Sequence, residues 1–169
     1  MASPKQEILN EIVTSLSTIN TSNGYYTNIQ KVVKGIVVTP TKVPPNMRSA
    51  YICVVYSGQA NNPTQQPGLQ QATAEYTIYA SMSNVTSTDF YNVTDDVEAC
   101  LAKDTVLRNE SNANTSFTIL DSYVSNITVT DSNEIDEVFR NSEEEYKDRA
   151  AVLSLVVTYL YDAKNLSGN

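Results

Sequence analysis

The sequence predicts an α+β fold in which two amphipathic helices pack on one face of a mostly antiparallel sheet of about five strands, in the order α-β-β-β-α-β-β. Two segments, one near the N-terminus and one after residue 86, repeat apolar residues with the period of a helix. Five other segments are rich in β-branched and aromatic residues, as is typical of strands. The chain has 169 residues, so we expect a single domain over residues 1–169.

The first helix is predicted to begin at Ser3. Ser3 is a candidate N-cap, Pro4 suits the first helical position, and Gln6 would complete a capping box. Gly24 is expected to end the helical region, because glycine readily adopts the left-handed conformation that follows many helices. One apolar stripe is expected to face the sheet, formed by Ile8, Ile12, Val13, Leu16 and Ile19.

The second helix is predicted to be capped by Ser87 or Thr88, with Asp89 in its first turn favourable to the helix dipole. Cys53 and Cys100 are the only cysteines, and we expect both to be buried thiols. The apolar stripe of the second helix consists of Phe90, Val93, Val97, Cys100 and Leu101.

The remaining chain is divided between predicted strands and polar segments. Residues 58–71 are uncharged and rich in Gln, Asn and Pro, which predicts a long polar loop. Residues 131–148 carry eight acids and two bases and are predicted to be an acidic insertion, while residues 162–169 form a short polar tail. The strands are predicted over residues 25–38, 50–57, 72–83, 117–130 and 150–161. Along the fourth of them, one face is expected to hold Tyr123, Ser125, Ile127 and Val129.

The strands contain more apolar residues than one covered face can hold. A sheet with helices on one side leaves its other face to solvent unless another chain covers it. We therefore expect an apolar outer sheet face that contacts a second chain. Its candidate residues include Tyr51, Cys53, Val55, Tyr79, Val156 and Leu160.

Charge is unevenly distributed along a chain whose net charge is −8. No Asp or Glu occurs between Ile12 and Ala74, whereas most of the acids follow residue 74. A basic and an acidic patch on different surfaces favour head-to-tail contacts between subunits, which can close into a ring. The alternative interpretation is that both patches are ordinary solvated surface. The candidate subunit-contact residues are Lys31, Lys34, Lys42 and Arg48 on one side, and Glu143, Glu144 and Glu145 on the other.

Several classes of chemistry are disfavoured by the residue types present. The chain has no histidine, which excludes Ser-His and Cys-His pairs and any zinc site that uses histidine. Its five glycines form no phosphate-binding pattern, and its acids lie mostly in runs. The acidic segment departs from the calcium-binding EF-hand loop, because it lacks the required glycine. We therefore expect no enzyme, no metal and no cofactor.

The composition also bears on membranes and nucleic acids. No apolar run approaches the roughly 20 residues that cross a bilayer, and the N-terminus lacks the apolar core of a signal peptide. We expect a chain that is neither exported nor bound to membranes. A strongly negative charge disfavours general nucleic-acid binding, which requires cations to displace phosphate counterions.

Several segments follow one another along the chain in a characteristic order and spacing. These are a helix "EILNEIVTSLSTI", the turn "NGYYTNIQKVVKG", a link with "VPP", the strands "YICVVYSG" and "AEYTIYASM", and the helix "FYNVTDDVEACLAKD". In this order and spacing the chain resembles the tail terminator (tail completion) proteins of tailed bacteriophages. The long 58–71 loop and the 131–148 insertion depart from the usual pattern. No catalytic motif is part of the resemblance.

The resemblance implies a structural protein of the virion tail or neck, made in the host cytoplasm. It implies a hexameric ring that caps the tail tube, ends tube polymerisation and contacts a neck or head-completion protein, with genome DNA passing through its lumen. The implied partners are therefore other copies of itself, the tail tube protein, the neck protein and, in contractile tails, the sheath. The candidate tube- or neck-contact residues lie in the predicted loop and are Gln59, Asn61, Gln65 and Gln66.

Two alternatives stay open at the level of sequence. Another ring-forming virion component, such as a head–tail joining or tail tube protein, would share the same charge pattern and apolar excess. Tube proteins usually carry a larger sandwich or barrel, and the two amphipathic helices argue against that. A host binding module or small enzyme would need a pocket built from Tyr, Asp and Lys alone.

Overall fold

The computed structural model describes residues 3–35, 49–103, 117–129 and 147–165. The two α-helices are α1 (Pro4–Leu16) and α2 (Ser87–Ala102). The strands are β1 (Lys31–Lys34), β2 (Ser49–Pro63), β3 (Leu69–Val85), β4 (Phe117–Val129) and β5 (Lys147–Asp162). Two short 3₁₀ helices cover Thr21–Asn23 and Ala163–Asn165.

The five described strands form one sheet in the spatial order β1-β2-β3-β5-β4. Only the β1–β2 pair is parallel, and the other three pairs are antiparallel. Long antiparallel pairs between β2, β3, β5 and β4 make up most of the sheet. The predicted α+β class, with two helices and a mostly antiparallel five-stranded sheet, is confirmed.

Helix α1 begins as its sequence predicts, with Ser3 in extended conformation at the N-cap and Pro4 in the first turn. The predicted capping box is absent, because the Gln6 amide donates to the Asn10 side chain at 3.2 Å instead. The stripe packs against the sheet with Ile8, Leu9, Ile12, Leu16 and Ile19 buried and Val13 partly buried.

Helix α2 begins one or two residues earlier than its sequence predicts, because Thr86 is its N-cap. The Thr86 hydroxyl accepts a hydrogen bond from the Asp89 backbone N–H at 3.2 Å. The Asp89 carboxylate in turn accepts from the Thr86 N–H at 3.1 Å. This reciprocal capping box stabilises the start of the helix. The predicted stripe of five residues is buried: Phe90, Val93, Val97, Cys100 and Leu101.

The core lies between the two helices and one face of the sheet. Alternate residues of each central strand point into it, as the two-residue period of a strand requires. Cys53 and Cys100 are both buried, as predicted. The core-facing side chains are Ala50, Ile52 and Val54 of β2, Ala72, Ala74, Tyr76, Ile78, Ala80 and Met82 of β3, and Ala151, Leu153, Leu155, Val157, Tyr159 and Tyr161 of β5.

The predicted strand over residues 25–38 is wrong over its first part. Only Lys31–Lys34 form β1, and residues 25–30 form a loop in which the Tyr26 and Thr27 N–H groups donate to α2 rather than to a strand. A segment rich in β-branched and aromatic residues forms a strand only where a neighbouring strand is available to hydrogen-bond with its backbone. Residues 36–38 lie outside the described part of the chain.

The predicted polar loop over residues 58–71 is also wrong. Strand β2 continues to Pro63 and β3 begins at Leu69, so only residues 64–68 connect them. A bulge between Tyr56 and Gly58 accommodates an extra residue in β2. Uncharged polar residues can extend this hairpin because the hydrogen bonds between antiparallel strands are made by the backbone and do not depend on the type of side chain.

Strand β4 departs from simple alternation at two bulges, one between Ile119 and Asp121 and one between Val124 and Asn126. Tyr123 therefore pairs with Val156, whereas Ile127 pairs with Leu153, which faces the core. The prediction that Tyr123 and Ile127 share a face is wrong, because the second bulge reverses the alternation between them.

The predicted acidic insertion and polar tail lie mostly outside the described residues. Of residues 131–148, only Lys147 and Asp148 are described, and both belong to β5. Of residues 162–169, Asp162 ends β5 and Ala163–Asn165 form a 3₁₀ turn. None of the helices in the described ranges combines the length and apolarity needed to cross a membrane.

Candidate interaction surfaces

The segment "GYYTNIQKVVKG" leads from α1 into the edge of the sheet. Gly24 has a φ of 86° and follows the 3₁₀ turn in the left-handed conformation that glycine adopts without strain. Asn28 then closes the loop on itself, since its side-chain oxygen accepts from the Thr21 backbone N–H at 3.0 Å. The backbone N–H of Ile29 donates to the carbonyl of Ile19 at 3.2 Å. The loop is thus fixed against the end of the first helical region.

Asp96 of α2 holds the middle of this loop. Its carboxylate accepts from the backbone N–H groups of Tyr26 at 3.1 Å and Thr27 at 2.8 Å, and from the Thr27 hydroxyl at 2.7 Å. The side chain is only 3% exposed, so these three donors replace the water that a carboxylate otherwise requires. Nothing in the local sequence marks Asp96 apart from the exposed Asp95 beside it, and its role was not predicted.

Tyr25 forms a second link between the loop and α2. The Lys103 ammonium lies 4.3 Å from the centre of the Tyr25 ring and donates to its hydroxyl at 2.8 Å. That hydrogen bond raises the pKa of Lys103. Nearby, the Cys100 thiol donates to the Ser15 carbonyl of α1 at 3.3 Å, and burial raises its pKa. Cys100 therefore acts as a neutral packing residue between the helices.

The two predicted contact lysines of β1 have different surroundings. The Lys34 ammonium donates to the Asn10 side chain of α1 at 2.6 Å, which directs it along the subunit's own surface. Lys31 begins β1 and is exposed. Lys31 is thus the better-placed cation for a contact with another chain. The other predicted contact residues lie outside the described part of the chain: Lys42, Arg48, Glu143, Glu144 and Glu145.

The four predicted tube- or neck-contact residues are divided between strand and loop. Gln59 and Asn61 lie in β2, and Gln59 accepts from the Tyr159 hydroxyl at 2.8 Å while donating to Asn61 at 2.8 Å. Gln65 and Gln66 lie in the connection between β2 and β3 and are exposed. Only the second pair is displayed at the tip of the hairpin.

Tyrosines pack beside Gln59 on the core side of the hairpin. Tyr76 is fully buried, and its hydroxyl donates to the Lys5 carbonyl at 3.0 Å. Burial raises the pKa of Tyr76, and burial together with the neighbouring phenol of Tyr161 raises the pKa of Tyr159 to about 12. These phenols therefore remain neutral near pH 7 and serve packing.

The face of the sheet opposite the helices carries apolar side chains, as predicted. Ile78 and Leu153 point into the core, so their neighbours Tyr79 and Val152, which pair with each other, point to the other side. We call this side the outer face. Larger apolar side chains on this face of β2, β3 and β5 are half-buried, except for buried Cys53, and they include Tyr51, Cys53, Val55, Tyr79, Val152, Val156 and Leu160.

Few charges interrupt the outer face. Between its apolar residues it carries mainly Ser and Thr, such as Thr77 and Thr158. Its charged members among residues paired in the register of β2, β3, β5 and β4 are Glu75, Asp121 and Asp162. A sheet face that is bathed in solvent normally carries many more charges. Contiguous apolar surface of this kind often marks an interaction site, so the outer face is a candidate interaction surface.

Exposed apolar side chains concentrate on β4. Of five exposed large hydrophobic residues in the described chain, three belong to this strand: Leu120 at 46%, Tyr123 at 53% and Ile127 at 39%. The other two are Tyr26 in the loop and Tyr91 on α2. Strict alternation of residues along β4 does not predict this pattern, because the two bulges interrupt the alternation.

One pocket of about 180 Å³ lies between the loop, the start of α2 and the ends of β2 and β3. Its one carboxylate, that of Asp89, belongs to the capping box. Its lining consists of Tyr26, Thr27, Asn28, Gln30, Ala50, Val85, Asp89 and Val93. Across the described ranges, no three or more Cys, Asp or Glu side chains come together in a way that could hold a metal ion.

No protein-family model matches the chain, and no curated protein matches it significantly.

Proposed function

We propose that this chain is a structural subunit of a bacteriophage tail, a tail terminator that assembles into a ring, most simply a hexamer, on the end of the tail tube. The observation that carries this proposal is the outer face, where half-buried apolar residues and few charges occupy a sheet surface opposite the helices. Such a face is typical of a surface that another chain covers in an assembly, and subunits that repeat one contact form a closed ring when the rotation permits. The layout resemblance assigns the ring to the tail.

The charge of the chain is compatible with that role. A net charge of −8 gives a ring lumen little attraction for phosphates, so DNA can pass through it without being retained. The exposed tip of the β2–β3 hairpin, with Gln65 and Gln66, is uncharged and extends from the sheet. We assign this tip to the contact with the tube or neck.

The proposal is tested by adding gold-labelled protein to the tail tube protein of the same phage during polymerisation and imaging the tubes by electron microscopy. A terminator labels one end of each tube and shortens the tubes as its concentration rises. Label along the whole length would indicate a tube protein, and absence of label together with unchanged tube length would refute the proposal.

A matched pair of variants connects the result to the outer face. Val156→Lys places a charge on that face, whereas Ala99→Lys places one on the exposed side of α2. We expect the first variant to lose end-capping and the second to retain it, with both keeping the wild-type circular dichroism spectrum.

A further inference from the structure

The two sides of the sheet are protected very differently against pairing with another chain. On one side, β1 is four residues long, with a lysine at each end. Short strands and lysines are the usual means by which proteins prevent edge-to-edge association. On the other side, β4 is 13 residues long and contains neither lysine nor proline. Among the described strands, β4 pairs only with β5, so none of them covers its other edge from residue 118 to residue 129.

A second edge that no described strand covers lies on the opposite side of the same sheet. Strand β1 pairs with β2 only from Tyr51 to Val54, whereas β2 continues to Pro63. Residues 55–63 therefore have no partner beyond β3 among the described strands, and none of them is charged. The β2 edge thus lacks the charges that normally prevent strand pairing, and the β4 edge carries only one, Asp121.

The register places these two edges at the same end of the sheet. Ala60 pairs with Thr73, Thr73 with Thr158, and Thr158 with Asp121. Ala60 and Asp121 are therefore the two ends of one row across four strands. Because β2, β3, β5 and β4 alternate in direction, β2 and β4 run antiparallel to each other.

We propose that β4 of one copy pairs with residues 55–63 of β2 in the next copy, which extends the antiparallel sheet from subunit to subunit. A rotation about an axis along the strands brings these edges together in antiparallel orientation and at the same height. It also keeps every outer face on the same side of the assembly. This contact rests on the proposed ring, and it names the two surfaces that form it.

We assign β2 of a second copy to the β4 edge because this pairing gives both edges a partner strand at once. Two β4 edges paired about a twofold axis would leave residues 55–63 of each copy unpaired. The bulges of β4 divide its edge into short ladders, so we place the contact around residues 121–124. The exposed Tyr123 lies within that segment and provides apolar contact area beside the ladder.

Proline substitution tests the pairing without changing the faces of the sheet. Successive residues of a strand direct their N–H groups to opposite sides, and proline removes one N–H. We therefore compare Ala60→Pro with Asn61→Pro in β2, and Asp121→Pro with Ser122→Pro in β4. In each pair, one variant loses a hydrogen bond of its own sheet and melts at a lower temperature. The other keeps the wild-type melting temperature and should lose assembly.

The two stable variants, one from each edge, are then mixed at equal concentration, and the masses of the resulting assemblies are measured by native mass spectrometry. Each alone should be a monomer, and the mixture should give a heterodimer through the one intact pair of edges. If the stable β2-edge variant still forms a dimer, β4 pairs with β4 and the proposal is overturned. If both stable variants form the wild-type ring, edge pairing is overturned while the ring itself stands. A wild-type protein that forms no oligomer, even on tail tubes, refutes both the edge pairing and the proposed function.

Discussion

The carboxylate of Asp96 binds Thr27 twice, through the backbone N–H at 2.8 Å and through the side-chain hydroxyl at 2.7 Å. These residues lie 69 positions apart in the chain. Their contact fixes the loop after Gly24 against α2 and sets the point at which β1 begins. The local sequence predicts a strand whose N–H groups bond to a neighbouring strand. In the structure, the buried Asp96 carboxylate accepts from N–H groups of the loop instead.

We expect Asp96→Ala to lower the free energy of unfolding by about 2–4 kcal/mol, because it leaves two backbone N–H groups without their acceptor. The measurement is urea unfolding followed by circular dichroism. Asp95→Ala is the matched control, since Asp95 is the exposed neighbour on the same helix, and it should change stability by less than about 0.5 kcal/mol. Equal losses in the two variants would contradict the anchoring role.

Stability is expected to fall in alkaline solution because of the buried phenols. Below pH 10, Tyr159 is protonated in both the folded and the unfolded chain. Its pKa is about 12 when folded against an ordinary value of 10.0, so only the unfolded chain ionises between these values. The unfolding free energy therefore decreases from pH 10 to pH 12, by up to about 1.4 kcal/mol per pH unit for each such phenol. Tyr76, whose pKa burial also raises, acts in the same direction.

Tyr159→Phe checks this origin when unfolding is measured at intervals from pH 9 to pH 11. The variant should lose stability below pH 10, since Gln59 loses its hydrogen bond, and its stability should depend less on pH above 10. Ile78→Val is the control: it should lower stability by about 1 kcal/mol without changing the pH dependence. An unchanged slope in Tyr159→Phe would rule out this tyrosine as the cause.

Charge reversal at β1 tests whether the basic side of the subunit takes part in assembly. Lys31→Glu should weaken the oligomer in low salt while leaving the melting temperature unchanged, because exposed charges contribute little to stability. High salt should reduce the difference from wild type. Lys34→Ala is the comparison, since that ammonium is bound to Asn10 within the subunit and its loss should leave assembly intact. Wild-type sedimentation of Lys31→Glu in low salt would remove Lys31 from the contact.

The helices and the two-faced sheet could be predicted from the sequence, because the period of apolar residues follows directly from helix and strand geometry. The stripe from Ile8 to Ile19 and the outward position of Tyr79 depend only on that period. The outer face could be predicted as well, since the strands contain more apolar residues than one covered face can hold.

The features that could not be predicted depend on contacts between distant residues. The loop at Thr27 is fixed by Asp96, and the polar end of β2 is stabilised by the ladder with β3 and by the bond from Tyr159 to Gln59. The bulges of β4 shift Ile127 to the core side. For the candidate surfaces, residue type alone suggested Lys31 and Lys34 equally, and only the bond to Asn10 distinguishes them.

The central claim, that this chain is a ring subunit, is tested most directly by its assembled mass. Native mass spectrometry should be performed on the purified protein and on protein released from isolated tail tubes. We predict a species of about six times the 18.6 kDa chain mass, in solution or on the tubes. A stable dimer under both conditions would contradict the claim.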